Sequence, residues 1–232
     1  MNTCSIENIP EYWEANDVIT VLADLGMYHP SLREDLDTTE KEQEHTFKTE
    51  YFKKRFTLSR SLLKGILVPV LGADNLSDIL LGKEKKGQII LPGRPDIGIS
   101  LSYSGPCIAI TVGKQKIGSD LEVVRPVRAH KIESCQIFID YPRTDDSQYL
   151  WQLIHVWTLI ESYAKLYDEN PYPPLDTRYL FRDVHFVSYC INKHLIFSIA
   201  SEKKQFTDAL VCLDMYGAGE SSDRTGNPLT RQ

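Results

Sequence analysis

The chain has 232 residues, 42% of them hydrophobic and 25% charged, enough to bury a substantial core as one domain or as two small halves. A formal net charge of -6 argues against a general nucleic-acid binder, which carries a basic excess, and leaves acidic partners open because local patches steer association. No apolar run reaches bilayer-spanning length and the start lacks a basic-then-apolar leader, so a cytoplasmic protein with no membrane partner is expected. Cys4, Cys107, Cys135, Cys190 and Cys212 form no close pairs and read as reduced packing thiols.

In chain order, the stretch to Gly26, apolar around Ile19 to Leu25, is either a strand or a short helix. Residues 31–50 are acidic, and Arg33 to Glu44 has few apolar anchors, which predicts a surface connection or an exposed helix. From Lys53 to Leu71, Phe56, Leu62, Leu63, Ile66 and Leu67 fall at helical spacing, with Ser59 a candidate cap and Pro69 near the end. Leu76 to Leu81 and Gln88 to Leu91 flank a charged turn and predict a hairpin. The turn Pro92 to Asp96 leads to a strand ending at Ser102-Tyr103-Ser104, and Ile108 to Val112 forms the next. Val127 to Ile139 reads as a helix, Tyr141 to Gln148 as a loop, and Leu150 to Leu166 as the strongest helix. Arg182 to Ile191 and His194 to Ala200 predict a hairpin about Asn192-Lys193, with a further strand over Ala209 to Leu213. Beyond Tyr216, too little apolar surface remains to offset ordering entropy, which predicts a flexible tail.

Gly118-Ser119-Asp120-Leu121-Glu122 is the chemical centre. On an extended segment, Asp120 and Glu122 at spacing two project from one face. Trp157, Glu161 and Lys165 recur every four residues and share one side of the long helix, with Trp157 read as a core anchor and His155 as a partial-core residue. Three carboxylates meeting there suit a hard cation such as Mg²⁺. Singly, each of these features is more often structural: Asp-x-Glu is common at strand ends, and a Glu to Lys pair at spacing four decorates many solvated helices. The same holds for three basic clusters: Lys53, Lys54, Arg55 and Arg60; Lys83, Lys85 and Lys86; Arg125, Arg128 and Lys131.

The ordered set is more specific than its parts. Ser102-Tyr103-Ser104-Gly105, Gly118-Ser119-Asp120-Leu121-Glu122 and Trp157 to Lys165 together resemble the 4'-phosphopantetheinyl transferase superfamily, nearer its Sfp-type branch, over about Lys48 to Ser201. The resemblance implies an α+β fold of two similar halves related by a pseudo-two-fold axis, with the active site at their interface. In this chain the halves would be 1–115 and 116–215, with a tail over 216–232. It implies Mg²⁺-dependent transfer of the 4'-phosphopantetheine arm of coenzyme A to a serine of an acidic apo carrier protein, acyl or peptidyl, releasing 3',5'-ADP. A monomer is expected. Asp120, Glu122 and Glu161 would hold the metal. Glu161, or a metal-bound water, would accept the serine proton, and Lys165 would stabilise the leaving group. Lys48, Arg60, Gly87, Gln88, Ser102, Tyr103, Ser104 and Lys165 would contact coenzyme A. Three positions depart from the pattern: Tyr103 stands where the family has His, Gln88 where it has Lys before Pro, and Ile160 where it has Lys. Two other readings stay open: a metal-dependent phosphoesterase, and a family descendant that binds coenzyme A or a carrier without transfer.

Overall fold

The structure, a computed structural model, describes residues 8–84, 87–125, 146–169, 183–203, 206–212 and 227–231. Its elements are α1 (Ile9–Ala15), β1 (Val18–Asp24), α2 (Thr38–Thr46), α3 (Glu50–Leu71), β2 (Gly82–Lys83), β3 (Ile89–Ile90), β4 (Gly98–Ser104), β5 (Cys107–Gly113) and β6 (Ile117–Val123), then α4 (Asp146–Tyr167), β7 (His185–Ile191), β8 (Leu195–Ser201), β9 (Asp208–Cys212) and β10 (Asn227–Arg231). This is a mixed α+β architecture. One four-stranded sheet runs β4-β5-β1-β9, a second runs β10-β7-β8-β6, and β2-β3 is a two-stranded ribbon. Pairing is antiparallel except between β1 and β9, where Val18 lies beside Asp208 in parallel register.

Period-two patterning divides the first sheet between two layers. Ile19 and Val21 of β1, with Ile108, Ile110 and Val112 of β5, pack under Leu58, Leu62, Leu63, Ile66 and Leu67 of α3. Their neighbours Val18, Leu22, Cys107 and Ala109 face the other way and bury against Ile117, Leu121, Phe197 and Ile199 of the second sheet. The second sheet is covered in turn by α4, where Leu166 meets Val184 and Ala200.

Helix boundaries differ from expectation for identifiable reasons. The cap of α3 is Thr49, whose side chain accepts from the Phe52 N–H, and the helix continues through Pro69 to Gly72, whose left-handed backbone (φ 64°) ends it. Ser59 lies mid-helix and its hydroxyl donates to the Phe56 carbonyl at 2.9 Å. Of the two alternatives for Arg33 to Glu44, the helix is found, but one of its sides is buried rather than exposed. The segment contains a 3₁₀ turn (Pro30–Asp35) and α2, closed by a capping box between Asp37 and Glu40, and Glu40 and Glu44 are buried. Their burial is permitted by partners: Lys64 Nζ meets Glu40 at 2.6 Å and Arg33 Nε meets Glu44 at 2.9 Å.

Of the two alternatives for the apolar stretch around Ile19 to Leu25, the structure has the strand, β1, and the short helix α1 precedes it. The hairpin over 76–91 shrinks to two residues per strand after a 3₁₀ turn at Leu76–Asp78. Its partner prediction fits better: β7 and β8 turn through Asn192 (φ 50°) and Lys193 (φ 59°), the left-handed pair a tight hairpin uses. Residues 146–148, expected in a loop, belong to α4, and the helix expected over 127–139 lies outside the described residues. Of the tail expected over 216–232, residues 227–231 are described and pair with β7 as β10.

Candidate active site

β4 and β6 are edge strands of different sheets, and three serines join them. Ser100 Oγ accepts from the Ser119 N–H (2.9 Å), Ser102 Oγ from the Leu121 N–H (3.0 Å) and Ser104 Oγ from the Val123 N–H (2.9 Å). Each hydroxyl also donates: Ser100 to the Ser119 carbonyl at 3.3 Å, Ser102 to Asp120 Oδ1 at 2.7 Å and Ser104 to Glu122 Oε2 at 2.6 Å. Alternate serines on a strand satisfy an edge that would otherwise present unpaired amides. In the same step they fix two carboxylates.

Asp120 and Glu122 share the β6 face that carries Gly118, and that face meets α4. A Cβ on Gly118 would stand 2.0 Å from the Ser162 carbonyl oxygen and 2.4 Å from the Leu166 N, so only glycine lets the helix approach this closely. At that approach Lys165 Nζ reaches Asp120 Oδ1 at 2.7 Å and the Ser119 carbonyl at 3.1 Å. Glu161, one turn earlier on α4, joins the two strand carboxylates. Burial pushes its carboxyl up to about 7, with Asp120 next in effect, Lys165 opposing and Glu122 adding. Glu122 is raised as well, by burial first, against the Ser104 hydrogen bond, with Asp120 adding to the rise. Arg125 stands 4.0 Å from Glu122 at the exposed rim.

The expected metal ligands are therefore electrostatic neighbours, but no three His, Cys, Asp or Glu side chains among the described residues stand as a finished cage. One oxygen of Asp120 is engaged by Ser102 and Lys165 and one of Glu122 by Ser104. The remaining chemistry fits a hard cation. Asp120 Oδ2 is buried without a hydrogen-bond partner among the described residues, and the donors are all carboxylate oxygens, the type Mg²⁺ takes.

Beside this cluster opens a cleft of about 410 Å³, lined by Arg55, Arg60, Lys83, Gly87, Gln88, Tyr103 and Lys165 among others. Five of the eight expected coenzyme contacts, Arg60, Gly87, Gln88, Tyr103 and Lys165, line it. Ser102 and Ser104 point instead into the β4–β6 seam. Lys48 is exposed on the turn between α2 and α3 and stands outside the lining. Arg60 is buried, 3.8 Å from Glu40, and burial lowers its pKa against the pull of Glu40 and Tyr103. It is thus partly committed to the protein. The Tyr103 hydroxyl donates to Ser59 Oγ at 3.0 Å, which gives Ser59 a role that its sequence position as a candidate cap concealed. Arg55 and Lys83, read from sequence as surface charge, are cleft residues. The spacing of four between Arg55 and Ser59 was the available signal, because it puts both on the helix side facing Tyr103.

No protein-family model matches the chain. The chain is similar to the 4'-phosphopantetheinyl transferase Sfp of Bacillus subtilis (strain 168), with 27% identity over 104 residues, 44% of this chain and 46% of Sfp. The aligned stretch thus spans less than half the length of either protein. Among the described residues, no helix is long and apolar enough to cross a membrane.

Proposed function

We propose that the chain is an Mg²⁺-dependent 4'-phosphopantetheinyl transferase acting from the cytoplasm as a monomer, with coenzyme A and an acidic apo carrier protein as its substrates. The similarity to Sfp supports the class of reaction. The observation that carries it to particular residues is the junction of buried Asp120 with half-buried Glu122, Glu161 and Lys165 at the edge of a cation-lined cleft. On this reading 1–115 and 116–215 are two halves related by a pseudo-two-fold axis, and the junction lies between them.

Asp120, Glu122 and Glu161 would hold Mg²⁺, which when bound neutralises charge on the diphosphate of coenzyme A. Arg60, Gly87, Gln88 and Tyr103 would border the nucleotide end in the cleft. A serine hydroxyl of the carrier would attack the phosphorus that bears the pantetheine arm. As the new O–P bond forms, the bond from phosphorus to the bridging oxygen of 3',5'-ADP breaks, and the serine proton passes to the Glu161 carboxylate. Burial, with Asp120 next, raises the proton affinity of Glu161, which supports it as the acceptor, and a bound cation would lower that affinity again. Lys165, already an ion-pair partner of Asp120, would steady the negative charge that develops on the departing 3',5'-ADP.

The test is intact-mass spectrometry of several apo acyl and peptidyl carrier proteins incubated with the protein, coenzyme A and Mg²⁺. The expected result is a gain of one phosphopantetheine arm that is lost with EDTA and with Glu161→Ala. Near-normal transfer by Glu122→Ala and Glu161→Ala alike would sink the residue assignment. Coenzyme A binding without transfer to any carrier would favour a binding module.

A further inference from the structure

Among the described residues, three cations other than Lys165 face the cleft, and they are not equivalent. Arg60 is buried and shares its charge with Glu40. Lys83 is held below the ordinary lysine range, by desolvation first and by the charge of Arg60 second. Arg55 is different. Its guanidinium carbon sits 4.5 Å from the centre of the Tyr103 ring, 4.8 Å from that of Phe52 and 5.7 Å from that of Tyr51. It has no hydrogen-bond or ion-pair partner among the described residues, while the cleft's acidic residues, Asp168 and Glu169, lie at the end of α4.

An arginine laid on aromatic rings is oriented without using its N–H donors, since the rings meet the cation through their faces. The bed is itself anchored, because Tyr103 is tied through its hydroxyl to Ser59 one turn along α3, and Tyr51 donates to the Gly105 carbonyl at 2.5 Å. The side chain is therefore preorganised and charged, with its hydrogen-bonding capacity unspent. That is the specification for a phosphate receiver, which gains most from a planar fork of donors already in place.

We infer that Arg55, bedded on Tyr103, is a phosphate-binding cation of this cleft and takes one of the phosphates of a nucleotide-bearing ligand. With coenzyme A as that ligand the inference rests on the transferase reading above, and the phosphate is either its ribose monoester or its diphosphate. The assignment adds a residue from the exposed side of α3 to the nucleotide site, and it gives Tyr103 a function: to hold the cation rather than to bind phosphate itself.

Calorimetric titration of the full chain with coenzyme A, 3'-dephospho-coenzyme A and ADP tests it, using wild type, Arg55→Ala and Arg55→Lys of matched melting temperature. Losing a charge-assisted hydrogen-bonding group should weaken binding about ten- to a hundredfold in Arg55→Ala, with Arg55→Lys intermediate. A loss seen for coenzyme A but not for the dephospho form assigns the monoester, and an equal loss for both assigns the diphosphate. Arg55-dependent binding of ADP without binding of either coenzyme would keep the phosphate site and sink the transferase reading. Unchanged affinity of Arg55→Ala for every ligand that wild type binds, or no binding of any of the three, overturns the proposal.

Discussion

At the scale of single residues, Ser102 and Ser104 each serve two masters, a backbone amide of β6 and a carboxylate beside it. Ser102→Ala leaves the buried Leu121 N–H without its acceptor and should destabilise the fold by about 1–3 kcal/mol in urea titrations. Ser104→Ala, nearer the rim, should cost less. Glu161 makes a signed prediction. Its folded-state pKa of about 7 lies above the ordinary glutamate value of 4.5, so the folded state holds more protons between those values and stability must fall as pH rises through that window. The penalty, up to about 3 kcal/mol by the usual conversion, is present in full above pH 7 and absent below pH 4.5. Glu161→Gln removes it. The variant should therefore be more stable than wild type at pH 8 and indistinguishable from it near pH 4.5, as read by denaturant midpoints. A wild-type stability that rises between pH 5 and 7 relative to the variant would refute the assignment of the shift to Glu161.

Elements decide whether those residues meet. Gly118 sits where α4 crosses β6, against the Ser162 carbonyl and the Leu166 amide, both backbone atoms that cannot swing aside. Gly118→Ala should push α4 off the strand, lower the melting temperature by several degrees and abolish transfer even though every acidic residue remains. The α2–α3 junction works by charge. Lys64 is fully buried against Glu40 at 2.6 Å, Asp37 at 3.6 Å and the Asp35 carbonyl at 3.1 Å, and Ser61 donates to Asp35. Glu40→Ala removes the nearest carboxylate of buried Lys64, leaving it Asp37 and the Asp35 carbonyl, and takes the ion-pair partner of buried Arg60, a change expected to cost about 3 kcal/mol in thermal or denaturant unfolding. This junction also shows where sequence reasoning stopped. Period-two and period-four patterns located β6 and α4, and with them Asp120, Glu122, Glu161 and Lys165, because those elements are bounded by local apolar spacing. Glu40 and Lys64 are 24 positions apart, and no local pattern distinguishes a buried ion pair from two surface charges. The seam serines were legible as a motif, but their acceptors and donors lie on another sheet. Arg55 was obscured for the opposite reason: it stands in a basic run, and only its spacing of four from Ser59 sets it apart from its neighbours.

On the scale of the whole molecule, the cleft draws residues from both layers: Arg55, Arg60, Lys83 and Tyr103 from α3 and the strands packed with it, and Lys165 from the helix that covers the second sheet. A ligand spanning it ties α4 to α3 across the serine seam, and so it should stabilise the chain as a unit rather than one element. Coenzyme A at a hundred times its dissociation constant should add about 2.7 kcal/mol to unfolding if it binds only the folded state. The metal adds a pH condition to this linkage. Glu161 must be deprotonated to serve as a ligand, and its carboxyl titrates near 7, so Mg²⁺ competes with a proton there. Mg²⁺ should therefore raise the melting temperature clearly at pH 8 and little at pH 5.5, and Glu161→Gln should remove most of the pH 8 increment. The same titration with Glu122→Gln should also lose the increment, while Arg55→Ala should retain it, because the proposal assigns metal and phosphate binding to different residues. An Mg²⁺ shift of equal size at both pH values, unaffected by either carboxylate substitution, would place the ion elsewhere on the surface and detach the acidic junction from metal chemistry.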